Sequence, residues 1–206
     1  MESIITAVFS VESEAYQAIT ELRNRAVTDE YAVLQAALIK KENGQIVPCD
    51  GYDTGINTTD DTLAGGLIGG LVGILGGPLG ILLGGAWGSL IGSTIDAGDA
   101  ADSLSLIEAV SSKLEDGETA LIALVSEESS AAFDNALSKF NVRIERRDAA
   151  VVAQEVEDAR ELEEEMQKEA RRKMREAKKA EKKEKIEEKR AKVKADIEAF
   201  KAKHSK

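Results

Sequence analysis

Between Asp61 and Asp96 the chain runs for 34 residues without a charged side chain: TLAGGLIGGLVGILGGPLGILLGGAWGSLIGSTI, Thr62 to Ile95. Its glycines recur at intervals of four along two lines. One is Gly65, Gly69, Gly73 and Gly77; the other is Gly76, Gly80, Gly84, Gly88 and Gly92. A four-residue interval keeps positions on one helical face, and a face without side chains lets another backbone approach closely, as in small-xxx-small helix pairs. The twelve glycines of this segment would cost on the order of 12 kcal/mol in helix relative to alanine, which an isolated solvated helix could not bear. Its fifteen Leu, Ile, Val and Trp side chains would return roughly 20 to 45 kcal/mol if fully removed from water. A sheet with two helices offers too little surface to cover them, so the cover is expected to be another copy of the chain or a bilayer.

Pro78, after Gly76-Gly77, removes a backbone donor and disfavours helical geometry just before it. A hairpin of two helices is expected, each of about fourteen to sixteen residues and so roughly 21 to 24 Å long, short of the roughly 30 Å hydrocarbon core of a bilayer. Contacts between copies are expected at Gly65, Gly69, Gly73, Gly77, Gly80, Gly84, Gly88 and Gly92, with Leu71, Leu82 and Trp87. The plainer alternative is a flexible glycine-rich loop, but such loops favour Ser over Leu and Ile. A phosphate or dinucleotide loop is excluded, because no GxGxxG occurs and no Lys follows the glycines.

The flanking sequence reads as two strand–helix–strand units. Ser3 to Phe9 is a β-branched apolar run ending at Ser10, the expected cap of a helix from about Val11 that carries Ala15, Ile19 and Leu22 at helical spacing. Tyr31 to Lys40 is again strand-like, and Asn43-Gly44 predicts a tight hairpin with a return strand around Ile46 to Cys49. Beyond the glycine segment a helix is expected from about Asp102, as its cap, to Leu114. Thr119 to Val125 (TALIALV) then predicts a buried strand, Glu127 to Phe140 a helix, and Val142 to Glu145 an alternating strand. The expected fold is α+β: a ferredoxin-like sandwich interrupted by a glycine-zipper hairpin and followed by a long charged helix. Segments are expected at 1–61, 62–95, 96–148 and 149–206.

The net charge of -11 is uneven: Met1 to Ala150 holds 9 basic and 23 acidic residues, or -14, and Val151 to Lys206 holds 18 and 15, or +3. An acidic body repels nucleic acid, so no nucleic-acid partner is expected. The tail lacks Gly and Pro and is built from strong helix formers, with pairs such as Glu169 and Lys173 or Glu181 and Lys185 at supporting spacing. Its apolar stripes, Leu162, Met166, Ala170 and Met174 and then Ile186, Val193, Ile197 and Phe200, are thin for a coiled coil. A solvated single helix is the first expectation, docking on a neighbouring subunit the second, and an anionic membrane or nucleic acid the third.

Residues able to do chemistry are sparse. The lone Cys49 excludes an intramolecular disulfide and fits a reducing compartment better than an oxidising one, and it reads as a packed residue before a nucleophile. The only histidine, His204, lies three residues from the end. Asp60, Asp61, Asp96, Asp99 and Asp102 allow at most a weak cation site, so no metal, no cofactor and no catalytic residue is expected. The opening residues lack a basic n-region, and a cytoplasmic location is expected, with association at the inner face of the membrane as an option.

In its order of elements the chain resembles a bacterial family of uncharacterised proteins, often described as stress-related or heat-induced membrane proteins, in which an alanine- and glycine-rich zipper interrupts a ferredoxin-like domain. The resemblance spans about Glu2 to Asp148 and rests on Ile4 to Phe9, Val33 to Lys41 with Asn43-Gly44, Gly65 to Gly92, and Glu115-Asp116-Gly117 before Thr119 to Val125. It implies no catalytic residues. The functional expectation is a non-enzymatic structural protein that forms homo-oligomers through its zipper. The alternative is a membrane-associated stress protein with the hairpin in the bilayer, and so with membrane lipid as a partner.

Overall fold

A computed structural model describes residues 1–56, 66–84 and 105–203. Five antiparallel strands form one sheet: β1 (Glu2–Phe9), β2 (Tyr31–Glu42), β3 (Gln45–Asp53), β4 (Thr119–Glu127) and β5 (Val142–Asp148). Their order is β3-β2-β4-β1-β5. The helices are α1 (Glu12–Asn24), α2 (Leu67–Gly76), α3 (Pro78–Gly84), α4 (Leu106–Lys113), α5 (Ser130–Leu137) and α6 (Ala149–Lys203). β1 and β2 both pair antiparallel with β4, which lies between them, so β1–α1–β2 and β4–α5–β5 are each crossovers joining parallel strands.

The sheet is covered on both faces, and this explains why β4 is an unbroken apolar run. On one face Ile5, Phe9, Leu38, Leu121 and Val125 pack against Ala15, Ile19 and Leu22 of α1 and Phe133 and Leu137 of α5. On the other, Ile4, Ile39, Ile122 and Leu124 meet α2, α3, α4 and the first turns of α6. The edges carry features that resist further pairing. β5 carries Arg143, Glu145, Arg146 and Arg147, and β3 holds Pro48 beside a bulge opposite Leu38 and Ile39.

Several boundaries differ from expectation. Ser10 does not cap α1; Val11 holds that position in extended geometry with no side-chain hydrogen bond, and the helix starts at Glu12. α4 begins at Leu106, and its cap is Ser105, whose hydroxyl accepts from the Glu108 amide at 3.1 Å, instead of Asp102. α5 is shorter than Glu127 to Phe140, because Glu127 ends β4 and Ser129 caps the helix. The hairpin after β2 turns as expected on Asn43 (φ 53) and Gly44 (φ 75), both left-handed as a primed turn needs, but its return strand runs to Asp53 as an edge of the sheet.

The largest correction concerns the glycine segment. Leu67, Ile68, Leu71, Ile74, Leu75 and Leu79 are buried in the chain's own core, so the sheet's second face covers these six of the fifteen apolar side chains for which a second molecule or a bilayer was expected. Burying these six side chains contributes roughly 9 to 18 kcal/mol. The six glycines of α2 and α3 cost about 1 kcal/mol each, so burial wins. Pro78 does start a new helix, α3, described as far as Gly84, and α2 has 10 residues, fewer than expected.

The chain divides into two compact units inside α6. Met1–Glu161 includes the sheet, both helical layers and the helix's buried Ala149, Val152, Val156 and Ala159. The second unit, Leu162–Lys206, holds the rest of α6 to Lys203, where Leu162, Met174 and Ile186 are exposed. Its charges pair along the helix, Lys173 with Glu169 at 3.0 Å and Lys185 with Glu181 at 2.5 Å.

Candidate interaction surface on the glycine helices

Side chains from distant elements seat α2 and α4. An irregularity in β2 between Val33 and Gln35 leaves Leu34 and Gln35 serving the same face. Gln35 Oε1 accepts from the Ile68 amide at 3.2 Å, satisfying a donor in the first turn of α2, while its Nε2 donates to Asp53 Oδ2 at 2.9 Å. Glu155 of α6 does the same for α4, accepting from the Leu106 amide at 2.8 Å. At the other end of α4 the buried Lys41 donates to the Ser111 carbonyl at 2.9 Å, a cation placed where the helix dipole favours it.

The glycines divide by role. Gly80 lies in the first turn of α3, where a Cβ would sit 1.9 Å from the Leu75 carbonyl oxygen. Gly77 is the extended break between the helices, with φ -85 and ψ -176. Gly70 lets α6 approach: a Cβ there would be 2.3 Å from an Arg160 guanidinium nitrogen and 3.2 Å from Val156 Cγ1. Gly69 and Gly73, one turn apart, face outward, and no described atom lies within 4 Å of a Cβ at either.

Of the expected contact residues, the structure therefore brings Gly69 and Gly73 onto one open face. Leu82 is 46% exposed beside Ile81 at 41%. Leu71 is fully buried in the chain's own core, so it has no surface to offer a partner. Gly80 is likewise taken up within the chain, and Gly84 ends α3. Gly65, Trp87, Gly88 and Gly92 lie outside the described residues, as do His204 and Asp60, Asp61, Asp96, Asp99 and Asp102. Sequence reasoning missed Gly70 and the caps Gln35 and Glu155. Gly70 also sits four residues after Gly66, but that third line of glycines was not read.

From Gly66 to Gly84 no side chain carries a hydrogen-bonding group, so the outward surface of these helices offers only backbone and aliphatic carbon. Among the described residues no group of three or more His, Cys, Asp or Glu is arranged to hold a metal ion. Cys49 is half-buried, and burial pushes its thiol above the usual range, which keeps it protonated and weakly nucleophilic at neutral pH.

These features define a class: a five-stranded antiparallel α/β protein with a pair of short, polar-free helices on one sheet face. A family model described as "Protein of unknown function (DUF1269)" matches residues 62–168, and the chain belongs to that family. The matched stretch starts at the glycine segment and ends within α6, so it leaves out β1 to β3 and extends beyond Asp148, where the resemblance read from sequence stopped. Neither curated proteins nor solved structures gave a match.

Proposed function

We propose that the chain is a non-enzymatic structural or interaction protein that forms homo-oligomers through the outer surface of α2 and α3. One observation carries this reading: Gly69 and Gly73 stand open, Ile81 and Leu82 are exposed, and no side chain from Gly66 to Gly84 carries a polar group. Water solvates such a surface poorly. A second copy suits it, because small residues beside protruding aliphatics form a self-complementary relief. We read the layered sheet as ferredoxin-like: without the edge strand β3, the order β2-β4-β1-β5 with two crossovers is the arrangement of that fold.

The test is the particle mass of detergent-free protein by light scattering, for the native chain and for Gly69→Leu with Gly73→Leu. Both positions have open space and leucine favours helix, so the double variant is expected to fold as the native chain does while its mass falls to that of a monomer. A native chain that is already monomeric at high concentration, or an unchanged mass in the variant, overturns the reading.

The second reading is a stress-related protein at the inner face of the membrane. No helix among the described residues is long and apolar enough to cross a membrane, so α2 and α3 would lie in the interface. Recovery only after detergent extraction would favour it.

A further inference from the structure

On the sheet face that carries α4, a pocket of about 170 Å³ opens between that helix, β1 and the β5 edge. Val8, Val110 and Leu114 give it an apolar wall. Thr6 lines it too, 5% exposed, and its hydroxyl is buried without a hydrogen-bond partner among the described residues. A buried polar group left unpaired costs free energy that a ligand can recover.

The rim is charged. Lys113, Arg143 and Glu145 all line the pocket. β5 pairs with β1 so that Glu145 stands opposite Thr6 and Arg143 opposite Val8. Lys113 Nζ reaches Glu145 Oε1 only at 3.9 Å, and Arg143 has no hydrogen bond or ion pair among the described residues. Two cations against one carboxylate leave a local charge of +1 in a body of -14.

We propose that this pocket binds a small organic carboxylate, its apolar body against Val8, Val110 and Leu114 and its charged head at Arg143 and Thr6. A cavity of about 150 Å³ is enough for benzene, which sets the body at about six carbons. A planar guanidinium forks onto a carboxylate, and the Thr6 hydroxyl supplies one more donor.

The probe is benzoate titrated into the full chain, with benzamide as its uncharged equal in shape, followed by the amide NMR signals of Thr6, Ala120 and Arg143. Benzoate is expected to saturate in the millimolar range or below, about tenfold tighter than benzamide. Arg143→Gln should remove that preference and leave benzamide binding unchanged, while Thr6→Val should weaken both probes, benzoate the more because its hydrogen bond is charge-assisted. Equal binding of the two probes would mean an apolar cavity without a carboxylate site and overturns the proposal, as does no saturable response to benzoate.

Discussion

Tyr52 shows how much a single side chain can hold unspent. It is half-buried, its hydroxyl has no partner among the described residues, and the Arg23 guanidinium sits 5.1 Å from the centre of its ring. Burial pushes its phenol up to about 12, whereas an unfolded tyrosine ionises near about 10. The unfolded chain therefore loses this proton first, and the corresponding stability is complete below about pH 10 and lost as pH rises to about 12. Tyr52→Phe should remove that part of the alkaline loss, while Tyr16 and Tyr31, whose phenols burial also raises, and Cys49 and Lys40, likewise held above their ordinary range, keep their own parts. At pH 7 the variant is expected to match the native chain or exceed it by up to about 1 kcal/mol, because it deletes an unpaired hydroxyl and keeps the ring. Urea denaturation at neutral and alkaline pH measures both effects. Such details were not legible in the sequence, where nothing distinguishes Tyr52 from Tyr16, and Thr6 likewise reads as one more strand residue until the sheet places it beneath α4.

At the scale of elements, the glycines of α2 and α3 divide between those that serve the packing of this chain, Gly70 and Gly80, and those that face outward, Gly69 and Gly73. Gly80→Ala drives a Cβ into the Leu75 carbonyl, and overpacking against backbone is expected to cost about 2 to 3 kcal/mol. Gly73→Ala enters open space and should gain about 0.5 to 1 kcal/mol from helix propensity. Thermal melts of the two variants measure the contrast, and equal effects would contradict the geometry. Strands, the Asn43-Gly44 turn and the break at Pro78 were readable because each depends on local chemistry. The position of α2 was not, because Gln35, Val156 and Arg160, which seat it, lie 33 to 90 residues away in sequence from the groups they meet. Counting only two helices against the sheet left its second face out of account, and that face proved to be the floor beneath α2.

For the whole molecule, the division at Glu161 implies that the body carries its own stability. Ala149, Val152, Val156 and Ala159 fill the core, whereas beyond them Leu162, Met174 and Ile186 are exposed. A chain ending at Glu161 is expected to keep a cooperative melt within about 4 °C of the full chain, the shift that about 1 kcal/mol would cause. Its mean helical content by circular dichroism should fall. A body that no longer melts cooperatively would place part of its support beyond Glu161.

The central strand β4 comes late in the chain, after α2 and α3, and it has a consequence for synthesis. β1 and β2 do not touch in the sheet and need β4 between them, so when the oily helices leave the ribosome only the β2–β3 hairpin of the floor they will rest on has been made. For about the time needed to add the next 35 to 50 residues, a few seconds at ordinary elongation rates, the most water-averse stretch of the nascent polypeptide must wait for its shelter or be minded by a chaperone.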